Sequence, residues 1–122
     1  MTPNPGTLAR ILLLSALTLP AQAQTRGKIV DCRIVSESRT VFAGKCRFVP
    51  DGPNGTFTLQ TQNGDAPLYA GVSSVTVAVE APGEAQVAGL TTEGVNSRWG
   101  AAKRSREDPA CWTGDDFAVC AH

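Results

Sequence analysis

Turn-forming residues punctuate this chain about every ten residues, and that spacing limits the fold more than any other feature. The intervals are short and rich in β-branched residues, and no long amphipathic helix is written anywhere. The clearest interval is 73–80 (SSVTVAVE). Val75, Val77 and Val79 face one way, and Thr76, Ala78 and Glu80 the other. Such alternation marks a half-buried β-strand. Pro82-Gly83 turns the chain, and 84–90 (EAQVAGL) returns with Ala85, Val87 and Gly89 on one side. Residues 56–61 (TFTLQT) alternate in the same way around Phe57 and Leu59, after the turn at 50–55 (PDGPNG). Asn63-Gly64 suits a tight hairpin turn, which makes 67–70 (PLYA) a short return strand.

The two ends of the chain are read by the same rules. Residues 28–35 (KIVDCRIV) and 40–49 (TVFAGKCRFV) read as strands about the polar turn 36–39 (SESR). Folding these strands about Arg39 places Cys32 opposite Cys46. Past Leu90 the alternation weakens. Gly94 and Gly100 bracket VNSRW, and 101–106 (AAKRSR) is expected to form one or two helical turns, stopped ahead of Pro109. Residues 110–113 and 117–121 make a last hairpin about Asp115-Asp116, which sets Cys111 opposite Cys120 and Trp112 opposite Val119. The expected fold is all-β: a small antiparallel barrel or sandwich of short strands, stapled by disulfides.

The first 23 residues are set apart. Arg10 precedes an apolar run at 11–19, and Pro20 and Ala21-Gln22-Ala23 follow. This is the layout of a secretory signal peptide cut after Ala23. The run is about half of what a membrane span needs. Residues 24–122 then form a single β-domain in the periplasm or outside the cell. Without Arg10 that part carries ten basic and eleven acidic side chains, so its overall charge draws it to neither nucleic acid nor anionic membrane. In an oxidising compartment four cysteines imply two disulfides. Neither Cys32/Cys46 nor Cys111/Cys120 forms a C-x-x-C, and the single histidine is His122 at the end, so no metal site or cofactor is expected. Three connectivities are open, and the local pairs 32–46 and 111–120 are favoured.

Enzymatic activity is not expected. Nucleophilic catalysis needs a Ser or Cys beside a base that titrates near neutrality, and the terminal histidine should fray. The acidic pairs Glu107-Asp108 and Asp115-Asp116 are sequence neighbours beside turns and should not converge. Binding has more support. Arg98, Lys103, Arg104 and Arg106 cluster next to Trp99, and Arg and Trp are the residues that most often anchor interfaces. A core role stands beside that reading for Trp99, and an internal pairing for Arg98. For Trp112, beside a cysteine, the core role is favoured.

The pattern GVNSRWGAAKRS followed by DPACWTGDDFAVC resembles a group of small uncharacterised proteins exported by alphaproteobacteria. The tail also resembles the periplasmic and membrane-bound inhibitors of c-type lysozyme. Arg98-Trp99 matches their Arg-aromatic pair, and Trp112-Thr113-Gly114 matches their late strand. Ser97 stands directly before the arginine and no lysine separates Thr113 from Gly114, both departures from that pattern. The second resemblance implies a β-barrel that inserts a loop into a lysozyme cleft, and bridges 32–120 and 46–111 in place of the local pairs. The function expected is that of a non-enzymatic exported binding protein. In its concrete form it inhibits a lysozyme-like hydrolase through the 94–106 loop. Arg98 meets acidic groups, Asn96 and Ser97 donate hydrogen bonds, and Lys103, Arg104 and Arg106 steer approach. The alternative is a structural or accessory envelope protein without a cleft-directed loop.

Overall fold

The computed structural model describes residues 26–122. The expected signal segment 1–23 lies outside the described residues. Eight strands follow in order: β1 (Lys28–Ser36), β2 (Arg39–Pro50), β3 (Phe57–Gln60), β4 (Val72–Ala81), β5 (Glu84–Thr91), β6 (Asn96–Arg104), β7 (Cys111–Thr113) and β8 (Phe117–Ala121). Each pairs antiparallel with the next, and β8 returns to β1, so the sheet closes as a barrel. Closure removes the sheet edges that a sandwich leaves open. No helix among the described residues is long and apolar enough to cross a membrane.

Alternation fills the interior. Ile34, Leu59, Val75, Val77, Val87 and Val119 are fully buried. An eight-stranded barrel is just wide enough for such side chains to fill it, and each contributes about 1.5–3 kcal/mol relative to exposure. Phe48 and Phe57 stack with their centroids 4.6 Å apart. The up-and-down order brings turns 37–38, 61–71, 92–95 and 114–116 to one end. Two bonds tie them there: Glu37 N–H to the Asp116 carbonyl, and Thr92 N–H to that of Gly71.

Both local disulfides are present, Cys32–Cys46 and Cys111–Cys120, which fits an oxidising compartment. The last hairpin has the expected register, with Cys111 opposite Cys120 and Trp112 opposite Val119. The first hairpin does not. Its turn is the pair Glu37-Ser38, both at positive φ (52° and 65°), as the tightest hairpin turns require. A bulge follows between Ile34 and Val35, and Cys32 falls opposite Gly44 while Cys46 faces Val30. The bridge therefore runs diagonally, across a Cα–Cα distance of 5.9 Å.

Two further expectations fail for physical reasons. Residues 101–104 are strand and not helix, because Gln86 and Ala85 of β5 pair with Ala101 and Ala102 and satisfy the backbone. Residues 67–70 form no return strand: β3 pairs directly with β4, and only Tyr69 bridges to Val72. Asn63-Gly64 belongs instead to a longer loop, 61–71, where Gly64 takes φ +76° and its N–H bonds to the Thr61 carbonyl. That loop tucks Leu68 into the core.

Candidate functional site

The segment expected as a loop at 94–106 is mostly β6. A tight turn leads into it, with Gly94 at φ +86° and Thr91 and Val95 joined through both backbones. The Thr91 hydroxyl also accepts from Val95 N–H at 3.0 Å. Within β6 the register slips by one residue. Val87 faces Gly100 and Ala88 faces Arg98, so Trp99 is the extra residue of a β-bulge. Gly100, at φ +124°, supplies a backbone conformation that other residues rarely adopt.

This bulge decides which side chains point out. Ala102 is buried, and unbroken alternation from it would turn Gly100 and then Arg98 inward. The inserted residue sends Trp99 inward instead. Its ring meets Phe117 edge to face at 5.6 Å and covers Gly89. Arg98 emerges on the outer face beside Ala88. It is exposed, and among the described residues it forms no hydrogen bond or ion pair, neither with Glu93 nor with Asp108. Trp99 therefore takes the half-buried packing role and Arg98 the free one.

Arg98 stands at the margin of a concavity of about 920 Å³ on the outer face of β4, β5 and β6. Its floor is small, Ala78 and Ala88, and Thr76, Gln86, Asn96 and Glu80 surround it. The hydroxyls of Thr58 and Thr76 meet at 2.7 Å next to it. Of the expected binding residues, Asn96 and Arg98 share this trough. Ser97 is exposed but pairs with Gly89, which lies on the inner face under the Trp99 ring.

The basic cluster is divided. Lys103 lies on the outer face, by a recess of about 390 Å³. Arg104 is occupied: its guanidinium covers the Trp112 ring at 5.2 Å and its Nε–H bonds to the Pro109 carbonyl at 2.8 Å. Arg106 is exposed in the 105–110 loop. Trp112 is buried, as favoured.

Two features lay beyond sequence reasoning. Glu80, Glu84 and Asp115 line the recess beside Lys103, from three segments whose meeting only the register reveals. Among the described residues no group of His, Cys, Asp or Glu is placed to hold a metal. The terminal His122 is held rather than frayed, with Nε2 2.9 Å from the Asp108 carboxylate and its N–H on the Asp31 carbonyl. Hydrogen bonds from His122 and from Ala110 N–H hold the Asp108 carboxyl below its ordinary range. No protein-family model, curated protein or solved structure matches the chain.

Proposed function

We propose that this is an exported, non-enzymatic binding protein. It receives a protruding element of an envelope or extracellular protein on the outer face of β4–β6. The observation that carries this reading is Arg98: an exposed guanidinium without an internal partner among the described residues, beside a trough floored by alanines. An unpaired Arg at such a rim favours a carboxylate, which it can grip with two parallel bonds. Signal-like residues at 1–23 and two disulfides support export to a periplasm or the exterior.

The hydrolase-inhibitor version changes its mechanics. Arg98 rides on a strand, so it does not probe a cleft at the tip of a loop. An inhibited enzyme would instead bring an acidic projection to the sheet. The alternative, a structural envelope component, draws support from the packing of Trp99 against Phe117.

Affinity capture from envelope and secreted fractions tests the proposal, with Arg98→Glu as the paired bait. A partner held by the wild type and lost by the variant supports it. A partner held equally by both removes the trough assignment. A parallel assay against c-type lysozymes at micromolar protein decides the inhibitor version: no slowing of any of them ends it.

A further inference from the structure

The two disulfides occupy opposite surroundings. Cys32–Cys46 belongs to the apolar core cluster. Cys111–Cys120 lies on the other side of the wall, because Trp112, Phe117 and Val119 take the inward positions of β7 and β8. There it is flanked by opposite charges. Nη2 of Arg33 is 3.6 Å from Sγ of Cys120. Oδ2 of Asp108 is 3.5 Å from Sγ of Cys111. A thiolate on Cys120 is stabilised by the guanidinium, whereas one on Cys111 is opposed by the carboxylate. Both sulfurs are buried, Cys111 at 6% exposure and Cys120 at 0%, so it is the flanking charges that set the direction.

We propose that Cys111 is a thiol-exchange site, at which a small-molecule thiol forms a mixed disulfide while Cys120 departs. The incoming thiolate attacks Sγ of Cys111. A new S–S bond forms between them, the Cys111–Cys120 bond breaks, and its electron pair goes to Cys120 beside Arg33. One disulfide replaces another, so no outside oxidant is needed. A second thiol, or Cys120 itself, resolves the adduct. The better leaving thiolate sets the direction of such exchange. The Asp108 carboxylate also repels the approaching thiolate and slows attack at Cys111, so the proposed direction rests on the better leaving group at Cys120 outweighing that repulsion.

The location gives this chemistry a structural effect. β7 has three residues, and it pairs with β6 only through Lys103–Thr113 and Arg104–Trp112. The outer bridge ties this short strand covalently to β8. Exchange at Cys111 removes that tie, leaving β7 held by its few backbone pairs, and leaves the inner bridge in place.

The test uses the disulfide-bonded protein in millimolar reduced glutathione, followed by acid quenching, alkylation and peptide mapping. Glutathione on Cys111, alkyl label on Cys120 and an intact Cys32–Cys46 are expected. Glutathione chiefly on Cys120, prior opening of Cys32–Cys46, or no adduct overturns the proposal. Arg33→Gln is expected to slow opening roughly three- to fivefold and to spread the adduct over both sulfurs, as the loss of one exposed charge contact allows. Arg33→Lys should preserve the preference for Cys111. An unchanged rate and adduct pattern in Arg33→Gln overturns the role of Arg33. If that variant does not fold, the position of the wild-type adduct still decides.

Discussion

Trp99 packs over Gly89 so closely that a Cβ on the glycine would lie 3.1 Å from the indole nitrogen. Gly89→Ala forces the ring to shift by a few tenths of an ångström. The expected cost is about 1 kcal/mol, at the low end for overpacking, with a red shift in Trp99 fluorescence. Gly114→Ala is expected to cost more, about 3 kcal/mol, because its Cβ would overlap the Phe117 ring on which Trp99 rests. Urea unfolding of both variants measures the order; the reverse order would show that the Phe117 ring gives way more easily than the Trp99 ring, and no cost for Gly89→Ala would show that Trp99 does not pack as described.

Gly100 holds the bulge at φ +124°. Gly100→Val places a β-branched residue in a region it avoids, at an expected cost of about 1–3 kcal/mol. The functional effect should exceed the stability effect, because losing the bulge also turns Arg98 away from the trough. A Gly100→Val protein that still folds but no longer captures the partner of the wild type is the expected outcome. Full retention of capture would separate the bulge from binding.

Asp108 gives up its proton more readily in the folded chain than in the unfolded one, because His122 and Ala110 N–H hold the carboxylate. Its contribution to stability is therefore complete above the ordinary carboxyl value of 3.8 and is lost as pH falls through the lowered folded value. Thermal unfolding between neutral and strongly acid pH should show a steeper acid limb in the wild type than in Asp108→Asn. Identical limbs would mean that the His122 contact contributes nothing.

The two bridges close loops of similar size, with sequence separations of 14 and 9. Chain entropy alone assigns each roughly 2.5–3 kcal/mol. Their packing differs, so their removal should differ. All four cysteines are buried, but only Cys32 and Cys46 pack within the apolar cluster, so Cys32→Ala/Cys46→Ala is expected to cost about 1 kcal/mol beyond Cys111→Ala/Cys120→Ala. Denaturant midpoints of the two double variants decide it.

Most of the fold was legible because alternation and turn chemistry are local. The valines of β4, the hairpin about Asp115-Asp116 and its Cys111–Cys120 bridge follow from period and spacing, whereas Cys32–Cys46 is the expected pair in a different register. The readings that failed depend on partners far away in sequence. The helical reading of 101–106 gave way because β5 supplies a hydrogen-bonding neighbour. The return strand at 67–70 gave way because β4 reaches β3 first. The candidate site was legible in its residues but not in its form. Arg98 and Trp99 were identified together, yet only a one-residue slip against β5 tells which of them faces out, and Gly100 is its one trace in the sequence. Arg104 and Arg106 joined Arg98 and Lys103 by proximity in the chain, which a strand end and a loop then separate.

The bulge at Trp99 works as a phase switch along β6. Everything C-terminal to it keeps time with the barrel, and everything N-terminal to it runs half a beat late. Straightening the bulge with every residue kept would leave Ala102 and the pairing with β7 undisturbed while exchanging the two faces of the strand before it. The trough would then show an aromatic ring where it now shows a guanidinium. A single substitution at Gly100 is thus enough to give this barrel a different class of partner, with no core side chain replaced.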